Sequence, residues 1–176
     1  FPGPLFVTRL DPGGKIFSYP DHLTFREYDL VGNPTLETNV SILNEQLVRK
    51  GYPPMNDFNT HETRRLPNGN LLLLGSRDEI STKYQGGTED NPVDIIGDMI
   101  LVLDRNLQVE WAWDAFDYLD PHRPALLAET CAYPAAVSCS AFYGATGAND
   151  WLHGNSLQLT PDGNLLYSVR HQDWVV

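Results

Sequence analysis

Apolar and polar residues in this chain alternate in short runs, with turn residues between the runs. From Val109 to Asp114, Val109, Trp111 and Trp113 alternate with Glu110, Ala112 and Asp114, the two-residue period of a strand. The same reading predicts strands over His61 to Leu66, Leu71 to Ser76 and Met99 to Asp104, and extends the last strand from Leu107 to Trp113. Four successive strands of this kind make an antiparallel meander. Upstream, Phe6 to Phe17 reads as a hairpin and Leu23 to Leu30 as a further strand. Ser41 to Lys50 reads as a short helix, with Ser41 as its cap and Gly51 just beyond its end. Asp78 to Gly97 is predicted as a polar excursion inside the meander, and residues 114–149 as a long loop insertion after it.

One hairpin design recurs. Pro67-Asn68-Gly69-Asn70 follows His61 to Leu66, and Pro161-Asp162-Gly163-Asn164 follows Leu157-Gln158-Leu159-Thr160. Pro presets φ early in such a turn, and Gly or Asn accepts positive φ late. A weaker third copy surrounds Asp11-Pro12-Gly13-Gly14, from Leu5 to Phe17. Repeated meanders with a shared turn point to an all-β fold, a partial β-propeller of four-stranded antiparallel blades. A blade takes about 40–50 residues, so the chain holds roughly three once its insertions are set aside. Three blades close no ring and leave edges exposed. The expectation is therefore one incomplete propeller domain over residues 1–176, belonging to a longer polypeptide.

Candidate chemistry gathers at the open end of the last hairpin, between Asp150 and Asp173. With Pro161 to Asn164 as the loop, Thr160 faces Leu165, Asn155 faces Arg170 and His153 faces Gln172. That register puts His153, Asn155, Arg170 and Gln172 on one face. Superposing the two turns puts His61 at the position of Asn155, so a second ladder adds its imidazole to the same end. Arg presents a planar fork to an oxyanion, and His donates a hydrogen bond or moves a proton near neutral pH. A lone His at a strand end is more often structural, and Arg170 has a competing role as a buried partner of Asp150 or Asp173. Asn155 is equally suited to capping a loop. Asp57, His61, Glu62, Asp150 and His153 also read as metal-ligand types, but their spacing matches no standard zinc motif. No metal and no cofactor are expected.

Composition narrows the partners. Of 176 residues, 41% are hydrophobic, which suits a globular core, and 13 Pro with 14 Gly suit a turn-rich fold. The net charge of −11 disfavours nucleic acid and anionic lipid, so an anionic ligand needs a local positive site. No apolar run approaches the roughly 20 residues of a membrane span, and residues 1–20 show no signal-peptide pattern. Cys131 and Cys139 lie in an Ala-, Gly- and Ser-rich stretch, where a small disulfide is expected over two free thiols. Asn39-Val40-Ser41 is a glycosylation sequon at Asn39. Together they lean towards a secreted or extracytoplasmic protein.

Three motifs carry a family resemblance: His61 with Leu-Pro-Asn-Gly-Asn-Leu-Leu; Gly-Asp-Met-Ile-Leu-Val-Leu-Asp with Val-Glu-Trp-Ala-Trp; and Asp-Trp-Leu-His-Gly-Asn-Ser with Ser-Val-Arg-His-Gln-Asp. From about Phe58 to Val176 the chain resembles the arylsulfotransferases that work without a nucleotide sulfate donor. The resemblance implies a six-bladed propeller with its site in the central channel. It implies transfer of a sulfuryl group from an aryl sulfate to a phenol through a sulfohistidine. His61, His153 and Arg170 match residues that hold the sulfuryl oxygens, and Asn155 matches a neighbouring polar position. The nucleophilic histidine of the family lies in a later blade and has no match here. His171 follows Arg170 in the motif, but neighbouring strand residues face opposite ways, so it is not expected in the site. Two other functions stay open: a propeller that binds a ligand or partner without turnover, and a lyase or hydrolase using the same His and Arg on another anion.

Overall fold

The computed structural model describes residues 6–11, 13–125 and 148–176. Cys131 and Cys139 lie outside the described residues. The fold is all-β, with three antiparallel sheets. The first contains β1 (Phe6–Asp11), β2 (Lys15–Asp21), β3 (Thr24–Asp29) and β4 (Pro34–Asn39) in sequence order, followed by helix α1 (Val40–Arg49). The second contains β5 (Asp57–Arg65), β6 (Leu71–Ser81), β7 (Val93–Leu103) and β8 (Val109–Asp114), followed by the short helix α2 (Ala115–Tyr118). β9 (Asn149–Asp150) adds to this sheet as a parallel partner of β7. The third contains β10 (Gly154–Leu159), β11 (Leu165–Val169) and β12 (Trp174–Val175).

The first strands of the sheets stand side by side, with β5 between β1 and β10. That arrangement is consistent with consecutive propeller blades. Two adjacent arginines on β5 reach opposite neighbours, as strand alternation requires. Arg64 Nη1 donates to Gln158 Oε1 on β10 at 2.7 Å, whereas Arg65 Nε donates to Asp11 Oδ2 on β1 at 2.9 Å and Nη2 to Glu27 on β3.

The run Leu71 to Leu74 is buried throughout because β6 separates two cores. Leu71 and Leu73 pack with Phe17, Tyr19, Phe25, Leu43 and Leu47, while Leu72 and Leu74 pack with Trp151, Leu157, Tyr167 and Val169. The middle sheet thus bonds the outer two through burial on both its faces. Trp151 is fully buried against Phe116 at 5.2 Å between ring centroids, and Trp113 stacks on Tyr118 at 5.5 Å.

The three turns are alike. Gly14 N, Gly69 N and Gly163 N each donate to the carbonyl three residues back, and each of these glycines has positive φ, 74°, 90° and 87°. The first copy shares this closing bond but differs at the preceding residue, since Gly13 also has positive φ, 110°, unlike Asn68 and Asp162. The same geometry corrects the expected register. Thr160 N donates to Asn164 O at 2.8 Å, so the loop is only Pro161 to Gly163, the three-residue type that ends in a left-handed glycine. Leu165 consequently pairs with Leu159, not Thr160.

Other differences have local causes. β6 and β7 pair without interruption out to Ser81 and Val93, so both ends of the expected polar excursion are strand and only residues 82–92 form the connection. Helix α1 begins two residues earlier than expected. Asn39, in extended backbone, is its cap and accepts from Ile42 N at 2.9 Å, a role that asparagine fills as well as serine does.

Candidate active site

β5 and β10, the first strands of their sheets, are irregular, and these irregularities build the site. β5 pairs with β6 from Asp57 to Phe58 and again from Thr63, with a register shift between. Residues 59–62 therefore bulge from the ladder and re-aim His61, which is exposed. β10 shifts register between Gly154 and Ser156, leaving Asn155 as its bulge residue. Just before it, His153 adopts positive φ, 54°, a conformation uncommon for a residue with a Cβ.

These two departures bring His61 Nε2 to 3.2 Å from His153 Nε2. Behind His153, Asp150 Oδ2 lies 2.7 Å from Nδ1. The carboxylate accepts, so Nδ1 carries its proton and Nε2 is left facing His61. Asp150 is held by β9, through its pairing with Ile96 and the bond from Trp151 N to Ile96 O at 3.1 Å. His171 stacks on His153, with centroids 4.7 Å apart, and its Nδ1 lies 2.6 Å from the carbonyl of Asp150.

The expected pairing of Asn155 with Arg170 and of His153 with Gln172 does not occur. β11 ends at Val169, and Arg170 to Gln172 form a 3-10 turn instead of strand. Arg170 N still bonds His153 O at 3.3 Å, and its exposed side chain is close enough for its charge to act on both His61 and His153. His171, not expected in the site, joins it because a 3-10 turn does not alternate faces as a strand does. Gln172 is fully buried, and its Nε2 donates to Trp151 O at 2.9 Å. It thus supports the segment leading to His153 from behind. Asn155 is half-buried on its bulge. Asp150, read from the sequence only as a metal-ligand type or a partner of Arg170, and His171, set aside there, both belong to the site; the i, i+3 spacing of Asp150 and His153 was the available signal.

The two facing imidazoles are electrostatically unlike. Burial, the positive charge of His153 and that of Arg170 hold the pKa of His61 below the ordinary 6.5, against the pull of Asp150. Burial also opposes the charged form of His153, but the hydrogen bond and charge of Asp150, with Asp98 behind, outweigh burial and Arg170 and raise its pKa above 6.5. These opposite shifts favour one positive charge on the pair, centred on His153, whose Nε2–H then donates to His61. His153 contributes stability that is full below about 6.5 and fades as pH rises through its folded pKa. Neutral His61 contributes stability that is full above about 6.5 and is lost as pH falls through its folded pKa. Asp150→Asn is expected to send the His153 pKa below the ordinary value, since burial then acts with little opposition; a histidine proton-NMR titration reads this directly. An unchanged His153 midpoint would rule out Asp150 as the source of the shift.

Asp150, His153 and His171 also gather ligand-type atoms within 4.8 Å of one another. Within that cluster, His153 Nδ1 bonds the Asp150 carboxylate and His171 Nδ1 the Asp150 carbonyl.

Two imidazoles face each other here, and the positive charge of Arg170 acts on both, an arrangement chemically able to donate hydrogen bonds to an anion. The arylsulfotransferase (ASST) family model matches residues 10–176, and the chain belongs to that family. No curated protein and no solved structure matches it. The family fits an anionic aryl sulfate as substrate. Among the described residues, no helix is long and apolar enough to cross a membrane.

Proposed function

We propose that this chain supplies the sulfuryl-binding half of an aryl sulfate sulfotransferase. His61, His153 and Arg170 hold the sulfuryl oxygens, and the group passes to a phenol through a sulfohistidine whose histidine lies outside these 176 residues. The observation that carries this reading is the 3.2 Å approach of His61 Nε2 to His153 Nε2. An oxygen inserted beside these nitrogens accepts from both when each carries a proton: charged His153 donates through Nε2–H, and neutral His61 does so as its Nε2–H tautomer. Arg170 adds its positive charge at the same end.

Sulfuryl transfer resembles phosphoryl transfer in the demand it makes. Charge rests on the oxygens, and the protein's task is to position and stabilise it. Charged His153 donates to an oxygen or protonates the departing phenol. Neutral His61 completes the cradle without adding a second cation beside His153. A covalent histidine intermediate divides one difficult transfer into two easier ones.

The test uses 4-nitrophenyl sulfate as donor and a second phenol as acceptor, with the active enzyme that contains this chain. Nitrophenol release that depends on the acceptor, with sulfated acceptor formed in equal amount, is the expected result. Release to free sulfate without acceptor identifies a hydrolase. Binding of the donor with no release identifies a non-catalytic ligand-binding protein.

A further inference from the structure

Beneath the two histidines lies a buried polar network that sulfuryl chemistry does not touch. Asp98 on β7 is only 3% exposed. Its Oδ2 accepts from Gly154 N at 2.7 Å and from the Tyr167 hydroxyl, and its Oδ1 accepts from Asn59 Nδ2 at 3.4 Å. Asn59 is bound on both sides: Nδ2 also donates to Gly154 O at 2.9 Å, and Oδ1 accepts from His61 N at 3.1 Å. Both peptide groups of Gly154, the residue after His153, are therefore gripped, and so is the backbone of His61.

We propose that Asp98 and Asn59 are positioning residues that set the separation of His61 and His153, and with it the width of the oxyanion cradle; this rests on the reading of that pair as the sulfuryl site. His61 stands on the bulge of β5 and His153 just ahead of β10, 92 positions apart, so neither sits in a paired stretch of its sheet. Regular pairing therefore cannot hold them in register. Asp98 can, because it is embedded in an unbroken stretch of β7, paired with Ser76. Its partners are the bulge of β5, the start of β10 and Tyr167 on β11.

The chemistry of the network suits a rigid link. Gly154 N–H, Tyr167 O–H and Asn59 N–H are all donors, so both oxygens of the carboxylate are engaged. Burial and the charge of Asp98 keep the Tyr167 phenol protonated. Burial raises the pKa of Asp98, opposed by the Tyr167 bond, while Asp150 raises it further and Gly154 and Asn59 oppose. Polar groups buried this deeply hold their geometry because each lost bond leaves an unsatisfied partner. Gly154 leaves no slack: a Cβ there would lie 2.5 Å from Tyr167 Cε2 and 3.0 Å from Asp98 Oδ2.

Histidine NMR titrations of wild type, Asn59→Ala and Asp98→Asn separate position from charge. Charges facing the pair are Asp150, Asp98 and Arg170, with His171 stacked on His153. Removing the negative charge of Asp98 by electrostatics alone would leave the His61 midpoint unchanged or lower it. Loss of position instead raises it towards 6.5, because His61 moves away from His153 and Arg170. Asn59→Ala removes no charge and is expected to raise it too. In the active enzyme, kcat should fall by up to about 10²-fold with a smaller change in KM, the cost of misplacing a group by about 1 Å. An unchanged or lowered His61 midpoint in the folded variants would overturn the proposal. If Asp98→Asn does not fold, Asn59→Ala decides alone. Titrating wild type with inorganic sulfate is the separate arm: a site that fails to respond sinks the sulfuryl reading and leaves the positional result standing.

Discussion

Arg170→Ala is expected to lower kcat for aryl sulfate transfer by about 10²–10³-fold, the usual loss when one preorganised oxyanion donor is removed. The backbone bond from Arg170 N to His153 O survives the substitution, and the side chain is exposed, so stability should change little. Lysine should restore only part of the rate, because its point charge lacks the planar fork. The change has a second signature. Arg170 lowers the pKa of both His61 and His153, so its removal should move both upward and carry the pH–rate profile with them. Measured kcat and its pH profile check both statements. Turnover close to wild type would remove Arg170 from the mechanism, and a reduced rate with an unmoved profile would place its guanidinium away from the imidazoles.

Phe58→Ala is expected to destabilise the fold by about 3–5 kcal/mol, the range for deleting a buried aromatic ring. Phe58 is fully buried, and its ring centroid lies 5.2 Å from that of Tyr19 in the first sheet. Its N–H donates to His22 O at 2.8 Å, in the segment between β2 and β3. One residue thus joins the first sheet to β5 by packing and by a backbone bond. It also immediately precedes the bulge that carries Asn59 and His61, so the site should loosen along with the core. Urea unfolding gives the number. A loss under about 1 kcal/mol would mean that the core beside the bulge closes over the cavity and that the first sheet does not depend on this contact.

Much of this protein was readable along the chain, and the parts that were share a cause. The turn at Pro67 to Asn70 and its copies are written in adjacent residues, because proline and a left-handed glycine act on their own backbone. The meander from β5 to β8 follows from alternation and from hairpins, both short-range. His61, His153 and Arg170 stood out through residue type and motif. The register of the last hairpin did not, because Gly163 shortens the loop and moves the pairs from Ser156 to Leu159 by one, and the bulge at Asn155 moves Gly154 by one more.

What the chain alone determined was therefore an all-β architecture, its repeated turn, and the identity of the side chains able to meet an anion. Their meeting was decided by tertiary structure. Asp150 reaches His153 through a parallel bridge to β7, His171 arrives on a 3-10 turn, and Asn59 and Asp98 join segments 39 to 95 positions apart. Hydrogen bonds across such separations leave no period in the sequence, since neither partner's neighbours are constrained by them. Only when the inner strands lie side by side do two broken ladders place their imidazoles within one hydrogen bond of each other.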